Sequence, residues 1–270
     1  MTERSSDEHR DLPEQQPSPE HRPLGEKLAG MDHRLGEVAE TVARLERGAA
    51  PPTPAWRRVT PGEHRWPAAV AIAAMITLQF NVPTRFSLLG WWVLPAMEAV
   101  IGVAIVIVNP MRISTFSRAV RRLSLTLIAL ASAANGWAAI YLVTGLVRGT
   151  EGRNAEGLLV IGGNIWVTNI LIFSLWYWEL DRGGPGARAQ AMEPLPDFVF
   201  PQMTSPQLAH PEWEPTFGDY LYLAITNATA FSPTDTLPFS RWSKVTMGIQ
   251  SLVSLTTGAL IIARAVNILQ

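Results

Sequence analysis

The sequence predicts an all-α integral membrane protein with about five transmembrane helices, one re-entrant pore-type helix and a short N-terminal coiled coil. Three observations lead there. Residues 1–65 carry twelve acidic and ten basic side chains with almost no apolar run. Residues 66–180 then hold only Glu98 and Glu179 as acids, apart from Glu151 and Glu156 in one short loop. A soluble domain spreads its charges more evenly, so this stretch reads as membrane-embedded. Third, Trp66, Trp91, Trp92, Trp176, Tyr177, Trp178 and Trp242 sit near the ends of apolar segments, where an aromatic belt places them.

Taken in order, residues 1–24 are polar and Pro-containing and read as a disordered tail. In residues 25–48, Leu28, Met31, Leu35, Val38, Val42 and Leu45 recur at alternating steps of three and four, which is a heptad seam. The seam predicts a short coiled coil or a lone amphipathic helix, with Gly30 and Gly36 weakening either. Residues 49–65, beginning "AAPPTPAW", read as a Pro-rich linker. Apolar segments follow at Trp66–Val82, Ser87–Val108, Leu123–Val147, Leu158–Leu180 and Ser243–Leu269. The first three lie in a unit over 66–157 and the last two in a unit over 158–270. Between the last two, Thr216 followed by Asp219 forms a capping-box pattern, so a helix is expected from Phe217 to about Ala228. It is too short to cross a bilayer, which makes it re-entrant and shielded from lipid by protein.

Composition excludes several classes. The chain has no cysteine, so disulfides and thiolate metal sites are out. Its five histidines all lie outside the apolar segments, and its formal net charge of -1 offers nucleic acid nothing to bind. The start, "MTERSSDEHRDLPEQQ", has no apolar core and does not read as a cleavable signal peptide. No spacing of His, Asp or Glu suits a membrane enzyme, so no catalytic residue, metal or cofactor is expected.

The residues that carry chemistry are few. In "TNATAFSPTDTLP" the hydroxyls of Thr226, Thr229, Ser232 and Thr234 and the carboxylate of Asp235 follow the short helix. In the last segment Gln250, Ser254 and Thr257 share one face with Ser243 and Met247, a polar stripe that lines a pore or packs against other helices, packing being favoured. Glu98 lies inside the second segment. A carboxylate there costs about 2.5–3.5 kcal/mol on insertion scales, so it either binds a cation or proton or fixes packing around Pro95. In the cation or proton reading, Arg264 in the last segment is a candidate partner.

Segment, short helix, polar loop and long helix resemble the two-helix pore domain of the potassium-channel superfamily. That family's filter reads T-x-x-T-x-G-Y-G-D, with a proline three residues after the aspartate. Thr226-Asn227-Ala228-Thr229 matches the first four positions, and Asp235 and Pro238 match the last pair. The resemblance covers residues 158–269 and implies an oligomeric pore whose filter is the 226–238 loop. The sequence departs from it in "AFSPT", which lacks both glycines and is one residue longer. Stacked carbonyls need backbone freedom that Phe231, Ser232 and Pro233 do not supply, so the resemblance extends to layout and not to potassium selectivity.

Orientation rests on the basic residues. Arg57, Arg58, Arg65, Arg112, Arg118, Arg121, Arg122, Arg182, Arg188, Arg241 and Lys244 fall on one side, against Arg85, Arg148, Arg153 and Arg264 on the other. The positive-inside rule makes the first side cytoplasmic, together with the N-terminus. The channel resemblance requires the opposite orientation for the loop, and the charge rule is preferred. The reading is therefore a multi-pass cell-membrane protein in the lipid bilayer, forming a channel-like homo-oligomeric pore for a small cation. A non-conducting membrane scaffold or regulatory protein is the alternative.

Overall fold

A computed structural model of the chain describes residues 24–46, 53–108, 112–150, 155–229 and 235–269. The chain divides into two compact units, Met1–Pro52 and Thr53–Gln270. The described residues of the first form one helix, α1, over Leu24–Glu46; the expected polar tail before Leu24 lies outside the described residues. Gly30 and Gly36 do not interrupt it. The seam residues Leu28, Met31, Leu35, Val38 and Val42 lie along it and stand 45–61% exposed.

The second unit is a helical bundle with a folded layer at one end. Its long elements are α2 (Trp66–Phe80), α3 (Val93–Val108), α4 (Arg118–Val147) and α5 (Ala155–Leu180). Short helices α6 (Pro185–Ala189) and α7 (Pro201–Thr204) follow, then α8 (Phe217–Ala228) and α9 (Arg241–Leu269). Strands β1 (Phe198–Val199) and β2 (Leu237–Pro238) pair antiparallel, with Phe198 opposite Pro238. Every apolar segment expected from the sequence is helical over most of its length. Three helices among the described residues, α4, α5 and α9, are long and apolar enough to cross a membrane. Helices α2 and α3 are apolar but have 15 and 16 residues, below the roughly 20 that a span takes.

Local chemistry sets the boundaries. Pro67 occupies the first turn of α2, where no N–H partner is needed. Helix α3 starts only at Val93, because Ser87–Trp92 turns instead of continuing the expected segment. Helix α4 starts earlier than its apolar run, at Arg118, because the Ser117 hydroxyl accepts from Val120 N at 3.4 Å and caps it. The capping box of α8 is present, with Thr216 N donating to Asp219 Oδ2 at 2.8 Å.

Residues 53–65 differ from the expected linker: they are folded into the end layer. Trp56 is buried, Thr60 N donates to Ala189 O at 2.9 Å, and Ile113 N donates to Glu63 O at 3.0 Å. A Cβ on Gly62 (φ +72°) would lie 2.2 Å from Ile113 O, so the turn admits only glycine. Beneath this layer is an aromatic core in which Tyr177, Phe198, Phe200 and Tyr220 meet edge to face. Phe198–Tyr177 and Phe200–Tyr220 centroids are 5.1 and 5.4 Å apart. A second apolar cluster around Phe86, Leu142, Leu158 and Ile261 lies elsewhere in the bundle. There a Cβ on Gly162 would sit 2.2 Å from Ile261 Cδ1, so this glycine is what lets α5 and α9 close up.

Candidate functional site

Helix α8 is fixed along its whole length. At its start Phe217 N donates to Glu63 Oε2 at 2.8 Å, and one turn on the Tyr220 hydroxyl donates to Asp181 Oδ2 at 2.5 Å. Near its end Asn227 Nδ2 donates to Met247 O at 3.0 Å and to Gln250 Oε1 at 2.8 Å. Ser251 Oγ donates to Asn227 Oδ1 at 3.0 Å. Ser251 is ten residues into α9, which puts the end of α8 roughly 15 Å along that helix. The chain then returns to the layer from which α8 left, since β2 pairs with β1 next to the end of α5.

The expected site residues fall in three groups. Thr226 and Thr229 are in the last turn of α8 and at its C-terminal cap. Thr226 Oγ1 donates to Tyr222 O, and Thr229 Oγ1 to Ile225 O, each at 3.0 Å, so their protons serve the helix while oxygen lone pairs remain. Asp235 is exposed. Ser232 and Thr234 lie outside the described residues.

Gln250, Ser254 and Thr257 are 0%, 3% and 2% exposed, which places the stripe inside the chain and not on a free surface. Gln250 accepts from the Tyr177 hydroxyl at 2.5 Å and donates to Ala224 O at 2.8 Å. Ser254 accepts from Asn169 Nδ2 at 2.9 Å. The stripe thus ties α9 to α5 and α8, which is the packing role. Asn227, quoted for its place in the filter-like pattern, is the hub of this network. Its position just before the loop, on a face opposite exposed Tyr222 and Ile225, was the available signal.

Glu98 is fully buried. Gln79 Nε2 donates to its Oε2 at 2.8 Å, while Oε1 has no hydrogen-bond partner among the described residues. Arg264 is not that partner: no ion pair joins the two among the described residues.

A further constellation escaped the sequence reading. Glu63, Asp181, Arg182, Arg188 and Asp197 converge beneath the end layer. Arg188 Nη1 donates to Trp178 O at 2.6 Å, and its Nη2 meets Glu63 Oε1 at 3.2 Å. The Trp178 indole donates to the same Oε1 at 2.5 Å. Asp181 Oδ1 accepts from Asp197 N at 2.9 Å, and Asp197 Oδ1 accepts from the Trp242 indole at 2.9 Å. Arg182, at φ +51°, donates through Nε to Glu193 O at 2.8 Å and through Nη1 to Trp56 O. Burial pushes the Glu63 carboxyl above its ordinary 4.5, against the pull of Arg188. Burial also opposes the Arg188 charge, but Tyr220 and the acids Glu63, Asp181 and Glu179 outweigh it and hold the pKa above the ordinary arginine value. The stretch "WYWELDRGGPGAR" signals a helix stop, and nothing in its spacing points to Glu63, more than a hundred residues earlier.

No group of three or more His, Asp or Glu residues among the described residues is placed to hold a metal ion. No family model, no curated protein and no solved structure matches the chain.

Proposed function

We propose that the chain forms an oligomeric membrane pore that prefers small cations, built on α5, α8 and α9. The observation that carries this reading is the path of α8: in from the end layer, roughly 15 Å along α9, and back to the same layer. A half-helix ending at that depth points the negative end of its dipole, and the carbonyls of its last turn, toward the chain that follows Thr229. A cation there would meet those carbonyls, the lone pairs of Thr229, Ser232 and Thr234, and the Asp235 carboxylate. In this reading α2 and α3 also cross, making five spans with local thinning of the bilayer. The basic end faces the cytoplasm, and α1 pairs copies through its exposed seam as a short coiled coil. Leu35→Asp should then lower the mass of the detergent-solubilised assembly, and an unchanged mass would leave α1 unpaired.

A non-conducting scaffold is the second reading, and the burial of Gln250, Ser254 and Thr257 favours it, because that stripe is committed to intrachain bonds. Current recording on the reconstituted full chain separates the two. The pore reading expects a reversal potential set by cations, with sodium and potassium poorly distinguished, since hydroxyls and carboxylates select charge before size. Asp235→Asn should move that potential toward zero cation preference. A current that is strongly potassium-selective, or absent at every voltage and pH, would overturn the pore reading.

A further inference from the structure

We infer that the groove between α2, α3 and α4 binds one acyl chain of an anionic phospholipid, with the headgroup phosphate at Arg65 and Arg121. Lipid binding at this place does not depend on conduction. A cavity of about 480 Å³ is lined by small and branched apolar side chains, among them Ala69, Ile72, Ala73, Ala99 and Val103. It runs beside α2 from Arg65 to Thr77, roughly 18 Å, close to the depth of one leaflet of a hydrocarbon core about 30 Å thick. Ala73, Ala99 and Val103 are exposed, so the groove opens sideways toward lipid. About 480 Å³ spread along roughly 18 Å leaves room for a single acyl chain and not for another helix, which spans about 10 Å with its side chains.

The charge at one end identifies the class of lipid. Arg65, Ser124 and Trp178 line the groove and also a smaller polar pocket that continues to Ser117 and Arg121. Arg65 is 7% exposed, and its Nε, like that of Arg121, is buried without a hydrogen-bond partner among the described residues. A buried guanidinium N–H without an acceptor is costly, so a phosphate oxygen in this pocket would be strongly held. Glu179 also lines the pocket, and as a carboxylate it offsets one of the two guanidinium charges; Arg188 is paired with Glu63. Outside the pocket, Arg112, Arg118 and Arg122 are exposed, and residues 109–122 contain no acid. The site therefore carries net positive charge where acyl chain and headgroup meet, which distinguishes an anionic phospholipid from a zwitterionic one.

Native mass spectrometry of the full chain in detergent tests this by titration with palmitoyl-oleoyl phosphatidylglycerol or the matching phosphatidylcholine. Roughly five-fold in affinity for the one net positive charge of the site gives an expected preference for phosphatidylglycerol of about five-fold. Arg121→Gln, at a partly exposed position, should weaken binding of both lipids, since both carry the phosphate, and should cut the preference for phosphatidylglycerol about five-fold. Ala99→Phe, which fills the groove, should remove the single site for both lipids. Equal binding of the two lipids by the unmodified chain, or an unaltered preference in Arg121→Gln, would overturn the headgroup assignment. Unaltered binding in Ala99→Phe, or a groove occupied by a second copy of the chain, would overturn the groove.

Discussion

The two buried polar networks of the bundle solve the same problem with different chemistry. Under the end layer the groups are ionisable: Glu63, Asp181, Arg182, Arg188 and Asp197. Deeper, between α5, α8 and α9, they are neutral: Tyr177, Asn227, Gln250, Ser251, with Asn169 and Ser254 beyond. The difference follows from what each depth offers. Loop backbone supplies free N–H groups, and Asp181 and Glu63 each accept from it, at Asp197 N and Phe217 N. Inside the bundle the helices have used their N–H groups, and what remains are carbonyls such as Ala224 O and Met247 O and side chains from neighbouring helices. An ion costs several kcal/mol to bury even after relaxation, whereas an amide costs less and is satisfied by one or two partners. Glu98 departs from this division, being a fully buried acid with a single amide donor.

The charged network should show the largest loss when it is cut. Arg188→Met removes the cation paired with Glu63 and one donor to each of Trp178 O and Asp181 O, and should lower stability by about 3–5 kcal/mol, read as thermal unfolding of the detergent-solubilised chain. A loss below about 1 kcal/mol would mean the charges are not coupled. Gln250→Leu is the matching change in the neutral network. It removes the acceptor of Tyr177 and Asn227 and the donor to Ala224 O, and should cost about 1–2 kcal/mol, nearer the range of interhelical hydrogen bonds in membranes. A loss as large as that of Arg188→Met would erase the distinction between the two networks.

Smallest, and sharpest in kind, is a pH effect confined to the charged side. The Glu63 carboxyl has a folded pKa above its unfolded 4.5, so the folded state holds the proton more tightly than the unfolded one. Its contribution is full below pH 4.5 and declines as pH rises through the folded pKa. Glu63→Gln should flatten that part of the stability–pH curve, while Gln250→Leu should leave its shape alone. A curve of the same shape in Glu63→Gln would assign the dependence to other groups.

Much of the architecture was legible because it is written in local patterns. Apolar runs marked the helices, and Thr216 and Asp219 marked the start of α8. What the sequence obscured is non-local. "PPTPAW" has the composition of a linker, yet Trp56 buries itself against Arg182, and nothing near it in the chain announces that contact. The step of Gln250, Ser254 and Thr257 shows that they share a face, and periodicity alone does not say whether that face meets water or protein. Asn169 and Tyr177, the residues that decide it, belong to a helix 73 to 85 residues away. Glu98 was visible as an anomaly of charge, but its partner Gln79 was not, because a glutamine near the end of an apolar segment looks like a boundary.

The central claim is that α8 enters from the end layer and that the chain returns to it. The chain has no cysteine, so single substitutions at exposed Leu208, before α8, and Phe239, after β2, give unambiguous reporters. An impermeant maleimide applied to sealed vesicles of known orientation should label Leu208→Cys and Phe239→Cys from the same side. That side should also label Ser114→Cys, at an exposed position between α3 and α4 at the basic end. Labelling of Leu208→Cys and Phe239→Cys from opposite sides would mean that the 217–236 segment crosses the membrane, and would contradict the account.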